Sequence, residues 1–121
     1  MSLVIYGEDG KQVTDDNPLV TEHDGEQGEA VDRIVTLKNE TDNYTFKRVR
    51  VEALSGESGV QVYIARYQTD LDRGIIGESL PDFPPKSKFN IAVRVIVPPG
   101  TDEAVLKKSF IRVKSMRFAA I

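Results

Sequence analysis

Five apolar side chains at every second position, Phe89, Ile91, Val93, Val95 and Val97, constrain this chain more than any other stretch. Successive side chains of an extended backbone point to opposite faces, so these five share one face, and a helical repeat would scatter them. Pro98-Pro99-Gly100 ends the run, because proline offers no ladder donor and glycine accepts a turn. The spacing predicts the central strand of an antiparallel sandwich, with Lys88, Asn90 and Arg94 facing outward.

The flanking segments repeat the theme. Residues 30–39 carry Val31, Val35 and Leu37 on one parity, and residues 44–54 carry Val49, Val51 and Ala53 inward. In residues 60–67, Val60, Val62 and Ile64 lie opposite Tyr63 and Tyr67. Turn clusters at 39–43 and 55–59 separate these runs, which is the rhythm of a sandwich. Residues 3–6 read as a short first strand. Residues 68–87 break the rhythm and predict a loop with one short edge strand near Ile75 or Leu80, and Phe83 plugging an end of the core. Residues 104–118 close the sheet, as one long strand or as two with a bulge near Lys107-Lys108, since Phe110, Met116 and Phe118 share one parity and Ile111 and Val113 the other. Phe89, Phe110 and Phe118 are expected in the core. No helical periodicity is visible beyond a single possible turn at 102–108.

The expected fold is thus all-β: one antiparallel β-sandwich of about eight strands, with residues 1–28 as an N-terminal strand and acidic arm and 29–121 as the sandwich proper. A chain of 121 residues has the size of one domain and can bury a core without staples. It has no cysteine, which removes disulfides, thiolate metal sites and cysteine nucleophiles. No basic, apolar leader opens it and no apolar run has the length of a membrane span, so a soluble protein without an export signal is expected.

Charge is unevenly spread. Residues 1–32 hold nine acids and one base, and residues 86–121 hold two acids and eight bases, within a net charge of −3. Three arrangements follow from this polarity. The acidic arm binds a partner, or it folds back beside the basic strands, or it meets the basic strands of the next copy in a head-to-tail assembly. Leu19, Val20, Glu22, His23 and Asp24 in the arm, with Lys107 and Lys108 in the basic third, are candidate partner contacts.

Little catalytic chemistry is available. His23 is the one histidine, so zinc lacks its nitrogen and sulfur ligands, and the acids around it lack the spacing of a calcium loop. There is no nucleophile elbow, no phosphate-binding loop, and the pair Asp70 and Asp72 reads as a solvated loop. No cofactor, no metal and no enzyme activity are expected. The basic residues lack interleaved aromatics for base stacking, which favours a solvated sheet face over a nucleic-acid stripe. The sequons at Asn39 and Asn43 read as turn residues.

Val35-Thr36-Leu37-Lys38-Asn39-Glu40-Thr41, followed by Val49-Arg50-Val51 and the later 89–100 run, resembles immunoglobulin-like sandwich modules of bacterial surface and virion proteins over residues 30–118. The segment Asn17-Pro18-Leu19-Val20-Thr21-Glu22-His23-Asp24-Gly25 is similar to arms that precede such sandwiches in structural proteins of tailed bacteriophages. The insertion at 68–87 departs from the compact module. The resemblance implies a non-enzymatic assembly protein of a virion tail, baseplate or capsid surface, made in the host cytoplasm, whose partners are other virion proteins or copies of itself. The alternative is a carbohydrate-binding or adhesion module that uses Tyr63, Tyr67 and the loop containing Phe83.

Overall fold

The run at 88–97 lies between two long partners because both of its edges are satisfied. β7 (Lys88–Val97) pairs with β3 (Glu29–Lys38) over ten residues on one side and with β5 (Gln61–Ala65) on the other. The computed structural model describes residues 3–14, 16–23, 29–54, 59–100, 110–119 and the backbone of 103–106. β1 (Val4–Tyr6) completes a four-stranded sheet in the order β1-β3-β7-β5. Facing it is a three-stranded sheet in the order β6-β4-β9, from β6 (Gly77–Ser79), β4 (Tyr44–Ala53) and β9 (Ile111–Ala119). β2 (Leu19–Glu22) and β8 (Glu103–Leu106) form a separate two-stranded ribbon. Every pairing is antiparallel. The chain is an all-β sandwich of two antiparallel sheets.

The core lies between the sheets and is built from the alternating positions. Ile91, Val93, Val95 and Val97 of β7 meet Val35 and Leu37 of β3, Val62 and Ile64 of β5, and Val49, Val51 and Ala53 of β4. Phe83 is buried and closes one end, bonded to Phe46 in both directions. Phe110 is buried and Phe89 packs at the core margin.

The inward parity of β4 changes between Phe46 and Val49, and the register against β9 shifts between Lys47 and Arg50. The bulge therefore sits in β4, at Arg48 with its φ of 52°, and Lys107-Lys108 lies outside the described residues. A bulge adds one residue to one strand. Here it lets Phe46 and Val49 both turn inward. β9 keeps one parity throughout, so Ile111 and Val113 face the core while Met116 and Phe118 face solvent, 45% and 44% exposed. Phe118 is thus a surface residue, contrary to the core position its apolar character suggests. Glu103–Leu106, read as a possible helical turn, is strand β8.

The insertion at 68–87 does three separate jobs. Its first part is a short 3-10 helix, η1 (Gln68–Arg73), which places Leu71 on Ala65 and Ala92 and covers the outer face of the larger sheet. Gly74, with a φ of 65°, ends η1 in the left-handed conformation that glycine tolerates. The second part supplies β6, and the third supplies Phe83. β7 is consequently buried on both faces at Ala92.

Asn39 holds the far end of the sandwich together. Its side chain is fully buried, donates to the carbonyls of Tyr44, Phe83 and Pro84, and accepts from the Thr41 N–H and hydroxyl. Every polar atom of the amide is used, as burial requires. The first sequon is therefore a structural keystone, with its asparagine enclosed.

Candidate functional site

Strand edges expose main-chain donors and acceptors that invite another strand, and this fold covers most of them. The outer edge of β4 is sealed by residues 76–83. Ala53 donates to Ile76 O, Leu80 donates to Val49 O, and Phe46 exchanges both bonds with Phe83. Beyond the short β1 pairing, β3 is capped where the Glu8 carboxylate accepts the Ile34 N–H at 2.8 Å. β1 itself is covered by Val13, which donates to Ile5 O, and on β5 the Ile64 N–H reaches Ile75 O.

β9 differs. Its inner edge pairs with β4 along nearly its whole length, and among the described residues nothing bonds its outer edge. Which groups are open follows from β4. Ala53 and Phe46 send their main-chain groups away from β9, so their cross-strand partners Ile111 and Arg117 do the same in the opposite direction. By alternation Val113 and Ser115 join them, leaving four consecutive odd-numbered positions with N–H and C=O groups toward the open side.

The outer face beside this edge combines charge with apolar surface. Arg112 and Lys114 of β9 and Arg50 of β4 gather around the single carboxylate of Glu52, at 3.9, 3.4 and 3.6 Å. Exposed pairs of this kind contribute little to stability. Their effect is to leave the face basic. Further along, the Lys47 ammonium lies over the Phe118 ring at 5.5 Å, beside Met116. On the inner side of the sheet Arg117 stacks on Tyr44 at 4.4 Å. Exposed apolar side chains next to cations on an open edge have the composition of an interaction surface.

The residues singled out from sequence are dispersed. Leu19 packs against the core, Val20 is exposed at 43%, and Glu22 is exposed at the end of β2. His23 is a structural clamp: one ring nitrogen lies 2.6 Å from the Thr21 hydroxyl and the other 3.0 Å from Glu29 O, tying β2 to the start of β3. Asp24, Lys107 and Lys108 lie outside the described residues. Tyr63 is half-buried beside Ala65, Leu71 and Ala92, while Tyr67 is 61% exposed. Phe83 is enclosed in the core, so its side chain has no surface to offer a partner. The basic third is likewise divided: Arg112 and Lys114 share one sheet face, but Arg94 is on the other sheet, where it bonds Asp32 and Asp72 at 2.8 and 2.6 Å. Arg94 holds the Asp32 carboxyl below the ordinary carboxylate range, and its own already high value is raised further by the two acids.

Residues 3–14 and 16–23 are woven into the sandwich. Leu3, Ile5, Val13 and Thr21 are buried, β1 pairs with β3, and β2 pairs with β8, where Glu22 lies opposite Glu103. The arm thus folds back onto the sandwich, but this pairing sets no acid against a base.

The edge residues Ile111, Val113, Ser115, Met116, Arg117 and Phe118 escaped prediction. Their signal was present: apolar residues on both parities of one strand mean that both faces are apolar, one in the core and one not.

Among the described residues no group of three His, Cys, Asp or Glu could hold a metal ion, and no helix is long and apolar enough to cross a membrane. A shallow groove of about 290 Å³ runs between Gly7–Lys11, Pro18–Val20 and Arg33, but it brings together no nucleophile and base. No family model, curated protein or solved structure matches the chain.

Proposed function

We propose that this chain is a non-enzymatic assembly module that docks to a neighbouring subunit by strand addition at β9. The observation that carries the reading is the contrast between capped and open edges: β9 alone among the long edge strands has no cover among the described residues, and it displays Met116 and Phe118 there. Strand addition supplies affinity through main-chain hydrogen bonds and specificity through alternate side chains. The resemblance to sandwich modules of tailed-bacteriophage virions and bacterial surfaces gives the setting, a virion tail, baseplate or capsid surface. The docking role falls to β9 rather than to the N-terminal arm, because the arm contributes Leu3, Ile5 and Val13 to the core.

The test is particle incorporation. A tagged chain expressed in its native source should sediment with large assemblies, and Ser115→Pro, which removes an outward N–H, should release it while leaving the fold intact by circular dichroism. A wild-type chain found only as free protein, or a proline variant that still enters particles normally, contradicts the reading.

A further inference from the structure

We propose that the strand received at this edge is β9 of a second copy, running antiparallel about a two-fold axis at Ser115. The inference rests on the docking reading and names its partner. The open groups lie on odd-numbered residues, so an antiparallel mate must set odd against odd for the ladder to close. Centred on Ser115, all nine residues of β9 find a partner: Ile111 opposite Ala119, Val113 opposite Arg117, and Ser115 opposite itself. The two three-stranded sheets then become one continuous sheet with a closed, isologous contact.

The side chains of the outer face select this register. Arg112 falls opposite Phe118 of the second copy and Lys114 opposite Met116, so each cation meets an aromatic ring or a thioether rather than another cation. Moving the axis one residue toward the N-terminus sets Lys114 against Lys114. Moving it two sets Arg112 against Lys114. Like charges directly opposite are unfavourable. Moving it one residue the other way sets Lys114 against Phe118 but pairs only seven of the nine residues of β9. Basic residues on an edge usually guard against pairing. Here the guard excludes the registers shifted toward the N-terminus, and ladder length favours Ser115 over the shift the other way. Within a copy, Lys47 already lies over Phe118, so the ring has shown its capacity for a cation.

Charge also sets the salt dependence. Among the described residues of β4 and β9, the outer face carries Lys47, Arg50, Arg112 and Lys114 against Glu52, with Asp82 beside Lys47. Two such faces repel at low ionic strength, so salt should strengthen the dimer, whereas an acidic strand from another protein would be held less tightly as salt rises.

Because the chain has no cysteine, the register can be read by cross-linking without background. Residues that pair in the ladder lie about 5.5 Å apart at Cα, within disulfide reach. Full-length Ser115→Cys should oxidise to a covalent dimer in near-quantitative yield, and Arg112→Cys, far from its own symmetry mate, should remain monomeric. By sedimentation the unmodified chain should dimerise severalfold more tightly at high salt than at low, and Phe118→Lys should lose the dimer with its circular dichroism unchanged. A Ser115→Cys chain that stays monomeric, or an Arg112→Cys chain that cross-links equally well, overturns the second-copy assignment. If such a monomer still enters particles in a β9-dependent way, the strand belongs to a different protein and the docking reading stands.

Discussion

The outer edge of β4 and the outer edge of β9 belong to one sheet and are treated in opposite ways. Residues 76–83 close the first with main-chain bonds from Ala53, Leu80, Phe46 and Phe83, and anchor the cover by burying Leu80 and Phe83. The second has neither bonds nor cover among the described residues, and carries exposed Met116 and Phe118. A chain that commits a long insertion to sealing one edge does not lack the means to seal another. The difference supports the proposal of β9 as a docking edge, and it sets the sealed edge and the open edge on opposite sides of β4.

Substitutions on the sealed side should be costly. The largest effect is expected from Asn39→Ala, which strips the carbonyls of Tyr44, Phe83 and Pro84 of their shared donor; at about 1–3 kcal/mol per buried group left unpaired, the folded state should be lost or barely retained in urea titration. Leu80→Ala removes a buried anchor of the cover and should cost about 2–4 kcal/mol, read as a lower denaturation midpoint with faster amide exchange at Ala53. Glu8→Ala uncaps Ile34 at a more exposed bond and should cost about 1 kcal/mol, with the Ile34 amide as the local reporter. Ser115→Pro, on the open side, should cost less than any of these, because the N–H that it removes has no partner among the described residues and only the fixed proline φ opposes it. If the proline variant unfolds the protein, the two edges are not different in kind.

A pH titration sharpens the same separation on the other sheet. The Arg94 guanidinium depresses Asp32, so the contribution of this pair is complete above the ordinary carboxylate value of 3.8 and is lost as pH falls through the lower folded value. Acid should therefore loosen η1, which is bonded through Gln68 to Asp32 and through Asp72 to Arg94, before it disturbs β9. The signal is early exchange at Leu71.

Much of this fold was legible in the alternation itself. Residues 30–39, 44–54, 60–67 and 88–97 carry their inward side chains at every second position, and burial follows that pattern closely. The position of Phe83 was readable because an aromatic among prolines has little to do but plug. The bulge in β4 gave no signal in the sequence because Arg48 adopts a positive φ without being glycine, while the expected one near Lys107-Lys108 falls outside the described residues. Phe118 faces solvent because β9 keeps the parity set by Ile111 and Val113 to its end, so its apolar character does not mark a core position. Asn39 read as a turn residue because two of the carbonyls that bury it, those of residues 83 and 84, lie more than forty positions away. The packing of the arm was left open among three arrangements because its acids outnumber its apolar residues, yet Leu3, Ile5 and Val13 suffice to bind it to the core.

Amide hydrogen exchange along β9 as a function of protein concentration tests the central claim most directly. In dilute solution the N–H groups of Ile111, Val113, Ser115 and Arg117 should exchange rapidly while those of Arg112 and Lys114, turned toward β4, stay protected. As concentration rises the four should become protected together, with β4 and β7 unchanged. Protection of all six at the lowest concentration, or an alternating pattern that never responds to concentration, would contradict the account of β9 as an open edge that closes on a second copy.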